Sequence, residues 1–98
     1  MAFPLTGTTD VSSAGSRVQI DNTTRRVLSI TFRARKGNSG NIYVGDSTVS
    51  SSAGFELDSG EALTFEFASA GVSARMSDFY VDTSNSGDDV DWAAVLWP

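Results

Sequence analysis

Leu28-Ser29-Ile30-Thr31-Phe32-Arg33-Ala34-Arg35 is the stretch that decides the fold. Leu28, Ile30, Phe32 and Ala34 alternate with Ser29, Thr31, Arg33 and Arg35. Successive side chains of a strand point to opposite faces, so a strict period of two reads as a strand. One face belongs to a core and the other to solvent or a neighbouring chain. The same period recurs outward in both directions. Val18 and Ile20 alternate with Arg17 and Gln19, and Ile42 and Val44 flank Tyr43. Leu63, Phe65 and Phe67 alternate with Thr64 and Glu66, and Phe79 and Val81 with Tyr80 and Asp82. The last run, Val90 to Trp97, is apolar on both phases, with Val90, Trp92, Ala94 and Leu96 on one and Ala93, Val95 and Trp97 on the other. A strand apolar on both faces is covered on both, so its second face is a candidate subunit contact near Val95 and Trp97. No segment carries a helical period.

Turn chemistry punctuates these runs. Asp21-Asn22-Thr23-Thr24, Gly37-Asn38-Ser39-Gly40, Asp46-Ser47-Thr48 and Asp58-Ser59-Gly60-Glu61 are polar and small, and the glycines of the second suit positive φ. Short gaps favour antiparallel hairpins over helical crossovers. Arg33 to Gly45 is thus expected as one hairpin and Thr83 to Asp88 as the loop of another. Phe55 and Leu57 are expected in the core, and Ala68 to Ser73 as a loop of small residues. The expected fold is all-β, a small antiparallel β-sandwich or jelly roll of about seven strands over residues 16–98. Residues 1–15 read as an extended N-terminal arm, because Pro4 and the Gly, Ser and Thr residues show no strand pattern. Phe3, Leu5 and Val11 are its apolar anchors, suited to a partner's groove.

The composition narrows the chemistry. The 98 residues contain no cysteine and no histidine, but 15 serines and 9 threonines. Disulfides, thiol chemistry, Cys/His zinc sites and histidine-dependent catalysis are excluded. The net charge is −5 and unevenly spread. Arg17, Arg25, Arg26, Arg33, Arg35 and Lys36 face only Asp10 and Asp21 in residues 1–36, whereas the rest holds Arg75 against ten acids. Opposite halves of this kind suit neighbouring subunits or a host surface. An overall basic footprint for nucleic acid is missing. The first ten residues carry no basic segment followed by an apolar run, so no secretory signal is read there. No stretch approaches the ~20 apolar residues of a membrane span, and a soluble protein made in a cytoplasm is expected.

Few constellations carry chemistry. Glu56, Glu61 and Glu66 could supply a glycosidase pair only if two faced each other across a cleft; solubility on an outer face explains them more simply. Asp82, Asn85, Asp88, Asp89 and Asp91 offer hard oxygen ligands for calcium. An EF-hand register from Asp82 fails, because Ala93 stands where a bidentate glutamate is needed, which leaves a looser loop site open. Gly37–Asn41 lacks the Gly-Lys-Ser/Thr ending of a phosphate loop. Arg25, Arg26, Arg33, Arg35 and Lys36 form a basic strip suited to acids of another subunit. No activated nucleophile is present, and the expectation is a non-enzyme without cofactor that binds neither nucleic acid nor membrane. Tyr43, Tyr80 and Trp92 are the aromatic candidates for a glycan surface.

One stretch is familiar. Arg33-Ala-Arg-Lys-Gly-Asn-Ser-Gly-Asn-Ile-Tyr-Val-Gly-Asp-Ser-Thr-Val-Ser50 leads into Gly54-Phe-Glu-Leu-Asp-Ser-Gly-Glu61. Together with Asp78-Phe-Tyr-Val-Asp82 and the apolar C-terminal strand, it resembles small structural proteins of tailed bacteriophages, over roughly residues 16–97. The motifs are turn-forming and structural. The resemblance implies a virion component with a jelly-roll-like sandwich, most like a capsid decoration, or cement, protein. Such proteins sit as homotrimers on the head exterior and clamp subunits of the major capsid protein after synthesis in the host bacterial cytoplasm. A tail or fibre module that binds host surface glycan is the alternative. The interface residues expected on this reading are Phe3, Leu5, Val11, Arg25, Arg26, Arg33, Arg35, Val95 and Trp97.

Overall fold

A computed structural model describes residues 3–67 and 74–97. The expected loop of residues 68–73 and the side chain of Phe3 lie outside the described residues. The chain forms β1 (Phe3–Val11), β2 (Val18–Gln19), β3 (Arg26–Ala34), β4 (Ile42–Gly45), β5 (Phe55–Leu57), β6 (Ala62–Glu66), β7 (Ala74–Arg75), β8 (Tyr80–Thr83) and β9 (Asp88–Leu96). A single 3-10 turn, Met76–Asp78, is the one helical element among the described residues. The strands make two antiparallel sheets, as the alternation predicts. The larger has the order β1-β9-β3-β6, with β7 also on β3; the smaller has the order β2-β8-β4-β5. Among the described residues no helix is long and apolar enough to cross a membrane.

The inner faces meet in one core. Val27, Ile30, Phe32 and Ala34 of β3 and Val90, Trp92, Ala94 and Leu96 of β9 pack against Ile42, Val44, Val81 and Leu57 of the smaller sheet. Phe32 is fully buried, its ring centroid 6.1 Å from that of Phe65 and 5.5 Å from that of Phe79. Burying a large aromatic contributes about 2 kcal/mol relative to leaving it in water. From Ile30 on, β3 therefore holds the position its pattern assigns, but Val27 and not the expected Leu28 is in the core. A bulge between Val27 and Ser29 shifts the register against β9 and restores the phase for Ile30.

Three expectations need correction. Residues 3–11 of the expected arm form an edge strand of the larger sheet, antiparallel to β9 from Phe3↔Leu96 to Val11↔Asp88. Val11 is fully buried in the chain's own core and Leu5 packs against it, so neither is an anchor presented to a partner. Their alternation was hidden at Gly7 and Thr9. A Cβ on Gly7 would lie 2.5 Å from the Trp92 ring, and the Trp92 indole N–H donates to Thr9 Oγ1 at 3.2 Å. One tryptophan thus uses the two inward positions that read as loop.

The expected hairpins are the second correction. β3 lies in the larger sheet and β4 in the smaller, so Arg33 to Gly45 crosses between sheets; β8 to β9 crosses back. β4–β5 is the one hairpin between successive strands among the described residues. The glycines of Gly37–Gly40 also play another part than expected, since neither has positive φ. Gly40 is there for close approach: a Cβ would collide with Ser84 Oγ and come within 2.8 Å of Asn85 Cβ. Third, Phe55 is not in the core but 58% exposed, whereas Leu57 is buried.

Candidate functional site

Both crossing loops meet at one end of the sandwich, and Asp88 joins them. Its carboxylate accepts the backbone N–H of Ser39 at 3.1 Å and of Gly40 at 2.7 Å, and the Asn85 amide at 3.1 Å. Burial alone would raise this carboxyl; the donors outweigh it and hold Asp88 below the usual carboxylate range. Asn38 bridges the same loops, donating to the Asp89 carbonyl at 2.7 Å and accepting the Asp89 N–H at 3.0 Å. Thr83 Oγ1 donates within 3.1 Å of the carbonyls of Asn41 and Asn85. Asp82 accepts the N–H groups of Gly15 and Thr83 at 3.0 and 2.8 Å. Of the oxygens expected as calcium ligands, those of Asp82 and Asp88 are therefore committed to the chain's own amides, and those of Asp91 to Thr8, Arg33 and Arg35. Among the described residues no group of three or more acids comes together to hold a metal.

The glutamates do not converge. Glu56 accepts from the Asn41 side chain at 2.8 Å, Glu61 accepts the Asp58 N–H at 2.7 Å, and Glu66 is exposed opposite Ser29. They stand on different sheets and turns. The aromatic candidates also disperse: Tyr43 and Trp92 are each 7% exposed, Tyr43 being sealed where its phase predicted solvent, and Tyr80 is half-buried. Tyr80 lines a shallow pocket of about 340 Å³ with Asp46, Ser47, Ser77 and Asp78. A larger apolar cleft of about 510 Å³ opens between β5 and β6, lined by Phe55, Phe65, Phe67 and Phe79.

The outer face of the larger sheet gathers most of the remaining expected interface residues. The register aligns its outward positions in rows: Pro4, Val95, Ser29, Glu66; then Thr6, Ala93, Thr31, Thr64; then Thr8, Asp91, Arg33, Ala62. The middle row carries no charge, and Thr31 and Thr64 share a hydrogen bond of 2.8 Å between their hydroxyls. Val95, in the first row, is 37% exposed. Trp97 is half-buried, and its indole N–H has no hydrogen-bond partner among the described residues.

The basic strip is not one unit. Arg33 and Arg35 both reach Asp91 of their own chain, at 3.0 and 2.9 Å. Burial would raise Asp91, but Thr8 and the two guanidinium groups lower it overall. Those arginines are internally paired where acids of another subunit were expected. Arg25 donates to the Trp97 carbonyl at 3.0 Å, at the opposite end of the face. There Arg26 stands directly across from Arg75. At the acidic end Asp10 stands directly across from Asp89. Burial and then Asp10 push the Asp89 carboxyl above its usual value. Sequence reasoning missed these two cross-strand pairs, because their partners lie 49 and 79 positions apart along the chain.

No known family model matches the chain, and no curated protein is similar to it. Among solved structures, the virus-like particle of the extra small virus of the giant freshwater prawn Macrobrachium rosenbergii, determined by cryo-EM, is similar at 14% identity and a TM-score of 0.49. The similarity covers 98% of this chain and 77% of that one. At that distance it carries no argument about what the chain does.

Proposed function

We propose that this chain is a structural protein of a bacteriophage virion that binds the head exterior and stabilises contacts between capsid subunits. The observation that carries this reading is the outer face of the larger sheet, whose middle row of Thr6, Ala93, Thr31 and Thr64 is short-chained, uncharged and open to solvent. The reading is also supported by the commitment of the acidic loop to backbone amides, which leaves a part built to hold shape and bind. The bacteriophage assignment and the capsid partner rest on the resemblance of the Arg33–Glu61 stretch. A binder that recognises the assembled shell and not its separated subunits stabilises the shell by mass action. Heating decorated and undecorated particles side by side tests this. Decorated heads should release DNA at a higher temperature; equal release temperatures, with the protein shown to be bound, would sink the proposal.

The second reading, a tail or fibre module for host glycan, is favoured by one observation. Tyr80 with Asp46 and Asp78 gives an aromatic plane beside two carboxylates, a combination that holds sugar rings. Copy number in purified virions separates the two, since hundreds of copies mean head and a few dozen at most mean tail. Three copies per unit is what the resemblance implies.

A further inference from the structure

We infer that β6, an edge of the larger sheet, takes an added strand from a partner protein: an extended segment with apolar side chains on one phase and basic side chains on the other. The inference goes beyond the decoration reading. It concerns the edge of the sandwich and not the outer face, whose middle row an added strand lengthens and leaves open. Three observations point to this occupant.

The first is the backbone. The Leu28 carbonyl accepts the Phe67 N–H at 2.8 Å, and the Glu61 carbonyl accepts the Ala34 N–H at 3.0 Å. Hydrogen bonding alternates along an antiparallel ladder, so the N–H and C=O groups of Ala62, Thr64 and Glu66 point away from β3. Among the described residues no strand pairs with β6 on that side. Edges are commonly closed by shortness, proline, lysine or a bulge. β2 and β5 span only two and three residues, and β1 carries Pro4. β6 spans five residues with an unbroken register and neither proline nor lysine.

The second is unfinished burial. Ile30 and Phe32 of β3 are fully buried, but the residues across from them, Phe65 and Leu63, are half-buried. Beside them opens the apolar cleft of about 510 Å³, with Phe55 on its other wall, 58% exposed and edge-on to Phe65 at 6.0 Å. A strand added to β6 sends every second side chain into this space, where apolar groups leave water.

The third is charge. Glu66 lies on the outward phase opposite the uncharged Ser29 and has no ion-pair partner among the described residues. The other acids of the edge and cleft are Asp46, Glu56, Asp58, Glu61 and Asp78. Against them stand Arg17 near Asp46, Lys36 beside Gly60, and Arg75 with Arg26 at the β7 end. Arg33, across from Ala62, is held by Asp91. Six acids against four bases leave the site net negative even with all four bases counted. A basic residue opposite Glu66 makes a favourable cross-strand pair. A second copy's β6 would instead bring its own Glu61 and Glu66 against these acids. In strand addition the main chain supplies affinity and the alternate side chains supply specificity.

The probe is a capped, dye-labelled nine-residue peptide with valine and leucine on one phase and lysine on the other, titrated by fluorescence anisotropy into the full chain. Binding should saturate, and NMR hydrogen exchange should show new protection at the amides of Ala62, Thr64 and Glu66. A scrambled peptide of the same composition should bind about tenfold more weakly. Thr64→Pro removes an outward N–H while sparing the ladder to β3, and should abolish binding with the circular dichroism spectrum unchanged. Glu66→Lys, at an exposed position, should weaken binding about fivefold and favour a peptide with glutamate in place of lysine; if Thr64→Pro does not fold, this variant decides alone. Absence of saturable binding, equal binding of the scrambled peptide, or a Glu66→Lys variant that binds like the wild type would overturn the inference. So would a wild type that self-associates and becomes monomeric on Thr64→Pro, which would make a second copy the occupant. None of these outcomes bears on DNA release, so the decoration reading stands or falls separately.

Discussion

Asp88 and Asp89 are adjacent in the chain and belong to opposite worlds. Asp88 points into the corner where the crossing loops meet and is surrounded by donors. Asp89 points to the outer face and stands across from another carboxylate. The corner surrounds its carboxylate with donors, whereas the face sets a carboxylate opposite a carboxylate. One aspartate holds the shape of the corner, and the other stands across from Asp10 with Arg35 of its own chain as the opposing charge. A period of two sends neighbours to opposite faces, so one peptide bond separates structural from interaction chemistry.

Asp88→Ala should break the corner. It strips the Ser39 and Gly40 N–H groups of a buried ionised acceptor, at a cost of about 3 kcal/mol. For a domain of this size that is a fall of about 15 °C in Tm, measured by thermal circular dichroism. An effect below about 1 kcal/mol would mean that solvent replaces the carboxylate and that the corner is not what joins the sheets.

Gly7→Ala probes the layer beneath the face, where the added methyl must displace the Trp92 ring. Overpacking of this kind costs about 2 kcal/mol, readable in urea unfolding. It should also change tryptophan fluorescence, whereas Asp88→Ala should leave the emission of the folded state nearly unchanged. Asp91→Ala removes two ion pairs whose arginine side chains are 55% and 52% exposed. Solvent screens such pairs, and the loss should be about 1 kcal/mol, shrinking further in 0.5 M salt.

Asp89→Asn should have the smallest effect and the opposite sign. Removing one member of a like-charged cross-strand pair should stabilise the monomer by about 0.5 kcal/mol at pH 7. The pH dependence sharpens the contrast. Asp89 is raised in the folded state, so its ionised form is penalised and the penalty disappears as pH falls through the folded value. The gain from Asp89→Asn should therefore vanish by about pH 4. Asp88 is lowered, so its contribution is present above the unfolded carboxylate value and is lost as pH falls through the lower folded value. Acid titration of wild type and both variants by urea unfolding distinguishes the two senses.

The local pattern determined a good deal about this protein. β3, β6 and β9 were legible from alternation alone, because burial on one face writes itself into every second residue. The turn at Asp58–Glu61 was legible from its chemistry, and Glu61 N–H does donate to the Asp58 carbonyl at 2.9 Å. Val95 as an exposed apolar residue on the second face of β9 was legible too. Tertiary structure alone decided the rest. β1 was invisible because its inward glycine and threonine are fitted to Trp92, more than 80 residues away. The loops after β3 and β8 looked like hairpins, because a short polar gap is the same whether the chain returns beside itself or changes sheets. What sends them across is a carboxylate contributed by β9 to both loops. The like-charged pairs at the ends of the outer face arise only when strands distant in sequence are set in register. Period and turn chemistry are properties of neighbours along the chain, while register, sheet switching and the charge order of a face are properties of neighbours in space.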